Sequence, residues 1–504
     1  MSGAIFVLMP LVLISSSALV SLTLANKARR FANAISAITM VISLCLLLYV
    51  LSLCLISGSE FEAYSYVLNS ATSLMSALLV FLGLLAVIYS FGYMDHEPRY
   101  DLYSSLLLVF ILSMIYIVLA SDISLIYLTF ELGTAVGGVL ITFNRRRSNL
   151  RAATRFLALN VLAAMLILTG LAVQYYYVGN LSIAAISELP VDVKELVLLI
   201  YTLGFSIKAG LVPFGLLWLP SAHSEAPVPV SALLSAALVQ SAAFVLLRMY
   251  SVLTEVSSLL INTLIALGTL SLLIGALEAL IEATGGSRYS GFHVGPVHIC
   301  GIKRVWAFST ISEIGYIAIF LALYLSKSNA DSAVIFLGGA LMHMINHGLA
   351  KAQLFFDTGV VIRISHAEDL NYMGGAWRTY SIGNATFWIS CLSLGLVPGF
   401  AGYGTLRELS LNPYVPMYLR VMVIATALIT LTAISISWYR AFLTKPKSEL
   451  ASLSSVPKTM LFPGPLLALL LIVIGVLYAY GSVGGTRVLE ELAYELARSI
   501  EECK

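Results

Sequence analysis

This sequence is poor in charge. Asp, Glu, Lys and Arg make up 11% of its 504 residues while 59% are hydrophobic, and the mean hydropathy is +0.94. Soluble domains carry about 25% charged residues, so a water-soluble globule is excluded and the chain reads as an integral membrane protein. Cysteine is sparse too. Cys45, Cys54, Cys300, Cys391 and Cys503 are scattered with no C-x-x-C pair, which gives no disulfide framework and argues against a metal or cluster site. No metal, cofactor or catalytic chemistry of its own is expected, and any redox step would belong to another chain. No basic stretch precedes the first apolar run, "MSGAIFVLMP", and that run exceeds a signal-peptide core, so it is expected to remain as a helix.

What the chain has in abundance is apolar stretches of about 20 residues, each long enough to cross about 30 Å of hydrocarbon as a helix. They are read near 3–25, 32–57, 70–93, 102–120, 122–144 and 151–178, then as two interrupted spans near 193–220 and 226–250. Others follow near 258–281, 302–326, 331–362, 380–410, 415–443 and 460–482, about fourteen in all. The expected fold is an all-α polytopic membrane protein.

The net charge of +2 says little, because in membrane proteins the placement of basic residues counts for more than their sum. One set of alternate turns carries Lys27, Arg29, Arg30, Arg99, Arg145, Arg146, Arg147, Arg151, Arg288, Lys303, Arg304, Arg363, Arg378, Arg440, Lys445, Lys447 and Lys458. The other holds little beyond Lys194, Arg248, Lys327 and Arg407. The positive-inside rule makes the first set cytoplasmic, and an even helix count then puts both termini on the outer side. The tail "TRVLEELAYELARSIEECK" has Val488, Leu489, Leu492, Leu496 and Ile500 at helical spacing, an amphipathic segment for a membrane or protein surface.

A four-residue string recurs. "GLVP" occupies 210–213 and 395–398, so Gly210, Pro213, Gly395 and Pro398 are the expected helix breaks. A glutamate regarded as buried precedes each copy: Glu131 by 213 − 131 = 82 residues and Glu313 by 398 − 313 = 85. Two units of five helices would fit, and five being odd, the second would be inverted, the plan of many transporters. The boundaries that follow are 1–100 for the first three helices, 101–250 and 251–445 for the two units, and 446–504 for the last helix and tail.

Glu131, Lys208, Glu313, His343, His347 and Lys351 all fall within apolar spans, where a charge costs roughly 2.5–3.5 kcal/mol on insertion scales. His343, His347 and Lys351 are spaced i, i+4, i+8, one helix face. Imidazole changes charge near neutral pH and a desolvated amine can do so too, so the row reads as a proton relay. The plainer alternative is that the histidines only bond neighbouring helices while the lysine neutralises Glu313.

These residues resemble the antiporter-like subunits shared by respiratory complex I, membrane-bound energy-converting hydrogenases and multisubunit cation/proton antiporters, over about residues 70 to 445. "LIYLTFEL" is similar to that family's fifth-helix motif with Glu131, and "KAGLVPFGLLWLPSAHSEAPVPVSALLS" to the broken seventh helix and its turn, with Lys208 and His223. "KRVWAFSTISEIGY", "HMINHGLAKAQLFF" and "LGLVPGFAGY" resemble its tenth, eleventh and broken twelfth helices. The resemblance implies two inverted five-helix units, each half a proton path, with Glu131 and Lys208 as a switching pair. It also implies other membrane subunits as partners, further antiporter-like ones among them, besides the lipid bilayer and with no nucleic acid, and a place in the cell membrane.

The departures from that family pattern bear on function. Gln240 stands where many members have a bridging lysine, Ser235 where some have histidine, and Glu313 where many have histidine or glutamine. Leu406 takes the place of a terminal acid or lysine, leaving Glu408 as the exit group, since Arg407 keeps its proton. In the loop 283–301, His293, His298 and Cys300 form no zinc spacing and are assigned no site. The expected function is a proton-translocating subunit of an oxidoreductase complex. The alternatives are a subunit of a stand-alone cation/proton antiporter, or a degenerate member that holds its complex together.

Overall fold

The computed structural model describes residues 2–253, 256–285, 301–326, 330–446, 449–480, 482–483 and 486–487. The loop with His293, His298 and Cys300, the amphipathic tail from Val488 to Ile500, and the basic residues Arg288, Lys327 and Lys447 lie outside them. The described chain is almost entirely helical. In order it runs α1 Ser2–Leu24, α2 Arg29–Ser57, a hairpin of β1 Phe61–Ala63 and β2 Tyr66–Leu68, α3 Ser70–Tyr93, α4 Tyr100–Leu119, α5 Ile123–Ile141 and α6 Arg147–Val178. There follow α7 Val191–Ala209, α8 Phe214–Glu225, α9 Val228–Leu233, α10 Val239–Ser251, α11 Ser258–Thr284, α12 Ile302–Ser326 and α13 Ala330–Ser365. The last are α14 Ser381–Leu394, α15 Tyr403–Leu406, α16 Met417–Trp438, α17 Lys458–Leu461 and α18 Pro463–Tyr480.

Among the described residues, 12 helices are long and apolar enough to cross a membrane, with α7 and α8 forming one such span and α9 and α10 another. Two of the stretches read as spans from sequence are not in that set. One is α13, whose apolar run is interrupted by His343, Asn346, His347, Lys351, Gln353 and Asp357. The other is split into the 14-residue α14 and the short α15. The interruption expected in 226–250 is a π turn over Leu234–Leu238 that joins α9 to α10 with no break in the chain's helical course.

Local signals start several helices. Asn69 and Thr72 exchange side-chain and backbone hydrogen bonds at the head of α3, Asp122 accepts from the Ser124 amide before α5, and Ser257 accepts from the Leu260 amide before α11; each satisfies an amide that a helix start leaves free. Packing then sorts the helices. α9 is wholly enclosed, and α10 and α12 are enclosed but for Arg248, Arg304 and the terminal Ser326, whereas α2 turns Phe31, Ile38, Leu48 and Ile56 outward, as a lipid-facing helix does. Small residues allow α11 and α12 to touch backbone to backbone. A Cβ on Gly275 would stand 2.5 Å from the Ser312 amide nitrogen, and one on Gly315 2.7 Å from the Gly268 carbonyl oxygen.

Both broken helices compensate their freed backbone groups, which in hydrocarbon would each cost several kcal/mol. α7 closes on Gly210 in the left-handed region at φ 77°. Its freed Ile207 carbonyl accepts from the Trp218 indole at 3.2 Å, and the Val212 amide donates to Ser271 Oγ at 2.9 Å. A Cβ on Gly215 would lie 1.9 Å from the Gly210 carbonyl oxygen. The break after α14 reproduces that approach, with a Cβ on Gly402 falling 1.9 Å from the Ser393 carbonyl oxygen. The two copies of "GLVP" are nevertheless built differently. Gly395 is at φ −75°, and the left-handed residue is Leu396 at φ 57°; Gly395 is small because Leu431 and the Cys391 carbonyl press on it.

Candidate ion path

α5 and α7 bring Glu131 and Lys208 together. Lys208 Nζ donates to Glu131 Oε1 at 2.9 Å, lies 3.5 Å from Thr134 Oγ1 and stands 5.0 Å from the centre of the Phe130 ring. The lysine side chain is 1% exposed and the glutamate 30%. Glu131 is therefore not the buried acid that its apolar run suggested. It sits on the surface of the chain, because α5 packs between α4 and α6 and leaves one face, with Leu128 and Leu132, uncovered.

The second group is assembled from α12, α13 and α15. Lys351 donates to the Trp306 carbonyl at 3.2 Å and to Ser309 Oγ, so it is held by α12 and makes no ion pair with Glu313. The partner of Glu313 is His343, with Nε2 3.4 Å from Oε2 and 3.0 Å from the Glu313 carbonyl. His343 Nδ1 is 2.9 Å from Thr405 Oγ1 at the start of the second half-helix. His347 follows, its ring centre 6.3 Å from that of His343. One turn along from Thr405, Glu408 accepts from the Tyr478 hydroxyl at 3.3 Å and lies 3.9 Å from Arg407 Nε.

Two further residues approach the second group. His223, near the end of α8, stacks on Phe355 with ring centres 5.3 Å apart. Gln240 is on α10, which packs on α7 and α12 and touches α13; its Nε2 would be 3.4 Å from a Cβ on Gly348. The π turn just before Gln240 carries Ser235, whose hydroxyl meets Thr310 Oγ1 at 2.7 Å, and such turns are frequent at functional sites. No hydrogen bond among the described residues joins the Glu131–Lys208 pair to the row on α13. Unsatisfied polarity gathers instead at four residues outside the pair. Both ring nitrogens of His223 and of His347, both side-chain polar atoms of Gln240, and both carboxyl oxygens of Glu313 are buried without a protein hydrogen-bond partner. Buried polar atoms are almost always satisfied, by ordered water where the protein offers nothing.

The family described as NADH:quinone oxidoreductase/Mrp antiporter, TM, matches residues 120–284 and 297–435, more than half of the chain and all of the residues above except Tyr478. This chain belongs to that family. The description NADH-Ubiquinone oxidoreductase (complex I), chain 5 N-terminus, matches residues 62–104. A protein of Staphylococcus aureus strains JH9 and Newman, named as antiporter subunit mnhD2, is 28% identical over 378 residues, 73% of this chain and 70% of its own. The fold matches a chain of the membrane-bound sulfane sulfur reductase, an archaeal respiratory membrane complex, at a TM-score of 0.83 and 21% identity, covering 99% of this chain and 98% of that one. It matches the Mrp complex from Dietzia sp. DQ12-45-1b at 0.83 and 18%, covering 100% and 98%. The chain is an antiporter-like, ion-translocating, multi-pass membrane subunit.

Sequence reasoning missed the hydroxyls that hold the charged groups, Thr134, Ser309 and Thr405, because Ser and Thr are common in membrane helices and only packing selects among them. It also passed over Asp357. The signal there was available: an acid six residues before Arg363 in "AKAQLFFDTGVVIR".

Proposed function

We propose that this subunit moves protons across the plasma membrane as part of a larger membrane-bound oxidoreductase complex, with further antiporter-like subunits beside it. The observation that carries the reading is the set of buried polar atoms without protein hydrogen-bond partners on His223, Gln240, Glu313 and His347. Such atoms need water, and water beside groups that can exchange protons is a proton path. In this reading Glu131 and Lys208 form the switching pair, His223 and Gln240 the link, Glu313, His343, His347 and Lys351 the second half of the path, and Glu408 its exit. The breaks at Gly210, Pro213, Gly395 and Pro398 admit the water. The two units, 101–250 and 251–445, are inverted relative to each other, preceded by 1–100 and followed by 446–504. The alternation of basic turns supports cytoplasmic placement of Arg145–Arg147 and Arg363, with both termini outside. The partly exposed Glu131 supports docking of a polar neighbour, because a carboxylate left facing lipid is costly.

A second reading, a subunit of a stand-alone cation/proton antiporter, is favoured by the likeness to mnhD2. Adjacent genes separate the two, hydrogenase-like or quinone-module subunits marking the first and only small membrane subunits the second. Lys208→Ala tests both against a purely structural role. Assembly should persist and coupled proton translocation in everted vesicles should fall. Translocation at the wild-type rate in assembled complex would refute a working path through this chain.

A further inference from the structure

A second polar seam runs beside the row of His343, His347 and Lys351, and the path described above does not use it. Asn346, Gln353 and Asp357 form one stripe of α13, turned by about 100° around the helix from His347. The facing α14 supplies Thr386, Ser390 and Ser393, with Tyr380 just ahead of it. All seven side chains are buried. The Tyr380 hydroxyl donates to Asp357 Oδ1 and the Thr386 hydroxyl to Oδ2, each at 2.8 Å, and the Gln353 amide donates to the Thr386 carbonyl. Farther along, the Ser393 hydroxyl donates to Asn346 Oδ1 at 2.6 Å and accepts from the Gly402 amide at 3.3 Å, within the second helix break.

Three atoms of this seam have no protein partner: Gln353 Oε1, Ser390 Oγ and Asn346 Nδ2. One such atom could belong to an isolated water. Three in sequence along a single helix interface offer successive partners to more than one water. The ends of the seam are defined. Asp357 is six residues, about 9 Å of helix rise, from Arg363, which reaches the Gly92 carbonyl at 3.2 Å and Asp95 at 3.5 Å at the end of the bundle. At the other end Gly402 precedes Thr405, the partner of His343. Asp357 itself is bonded only by neutral groups, the Tyr380 and Thr386 hydroxyls and the Gln353 side chain. No basic side chain pairs with it among the described residues, and around it stand Tyr380 ahead of α14, Thr386 from α14, Gly464 from α18, and Tyr89 of α3 bonded to the adjacent Phe356 carbonyl. An ion pair would fix its charge; hydroxyl donors leave both protonation states accessible.

We infer that the α13–α14 seam is a water-filled proton inlet from the Arg363 end of the chain, gated by Asp357, which delivers protons to His343 and Glu313 without passing through Lys351. The inference rests on the proton-translocation reading and adds a route and a gate to it.

Two variants test it in the intact complex in everted vesicles, with proton movement read from quenching of an acridine dye. Asp357→Asn keeps the shape and an acceptor for Tyr380 but cannot exchange a proton. Ser390→Val keeps Asp357 and fills the middle of the seam with methyl groups. Each should assemble normally and slow translocation at least about tenfold, less than the roughly 10²–10⁴-fold that a positioned proton-transfer group contributes to a chemical step, because one inlet is lost and not the reacting group. Asp357→Asn should also remove a protonated-carboxyl band from the infrared difference spectrum, which a purely structural aspartate would not produce. If Asp357→Asn fails to assemble, Ser390→Val decides alone. Wild-type rates in assembled Ser390→Val complex overturn the seam. Lys208→Ala in the same preparation separates the two ideas: slow Lys208→Ala with fast Ser390→Val removes the inlet and leaves the proposed function standing, while wild-type rates in both remove the two together.

Discussion

The Glu131–Lys208 pair is unequal in its surroundings, and the inequality predicts which half can be removed. At 2.9 Å and an effective dielectric of about 20, two unit charges attract by about 6 kcal/mol before desolvation is subtracted. Only one of them has somewhere else to go. In Glu131→Gln, the Lys208 ammonium, 1% exposed, stays enclosed with an amide oxygen, Thr134 and the Phe130 ring, so the loss should approach the about 3–5 kcal/mol that follows when a buried ion is stranded. In Lys208→Met, the thioether fills the space of the lysine stem, and the stranded carboxylate, 30% exposed, can turn to a polar neighbour, so the loss should be about 1 kcal/mol, the scale of an exposed ion pair. The double variant should resemble Lys208→Met alone. Thermal unfolding of the intact complex in lipid nanodiscs, followed by the fraction that stays assembled, measures the three. If Lys208→Met is the more damaging single change, or if the two losses simply add in the double variant, the pair is not held as its geometry indicates.

Two further predictions concern the link and the break. Gln240→Lys puts a titratable group on α10 against Gly348 and should raise translocation or change its pH profile; no change in either at normal protein levels would count against a link at that position. Gly215→Ala drives a methyl to 1.9 Å from the Gly210 carbonyl oxygen, a backbone atom that cannot swing aside. It should cost at least the about 1–3 kcal/mol of an overpacked core and reduce translocation per assembled complex by displacing Lys208, measured as melting temperature and dye quenching on one preparation.

The sequence by itself determined the membrane class, most of the spans and the residues able to carry charge, because hydropathy and the cost of burying an ion act along the chain and leave their mark at each position. The row His343, His347, Lys351 was legible for the same reason, since helical periodicity alone puts three positions on one face. Partners were not. That Lys351 rests on Ser309 and the Trp306 carbonyl while His343 takes Glu313 depends on how α12 lies against α13, and the sequence had left open a Lys351–Glu313 pair that the packing does not form. Glu131 looked enclosed because its span is apolar, but apolarity does not distinguish a lipid-facing side from a core-facing one; only the packing of α4 and α6 around α5 shows which side it takes. The two "GLVP" strings look equivalent, yet Gly210 turns the chain through a left-handed conformation and Gly395 only makes room for Leu431. Asp357 was one acid near a helix end until the start of α14 brought Tyr380 and Thr386 to it. Tertiary structure decided these points because hydrogen-bond partners and exposure belong to pairs of helices far apart in the chain, and no local pattern specifies which two will meet.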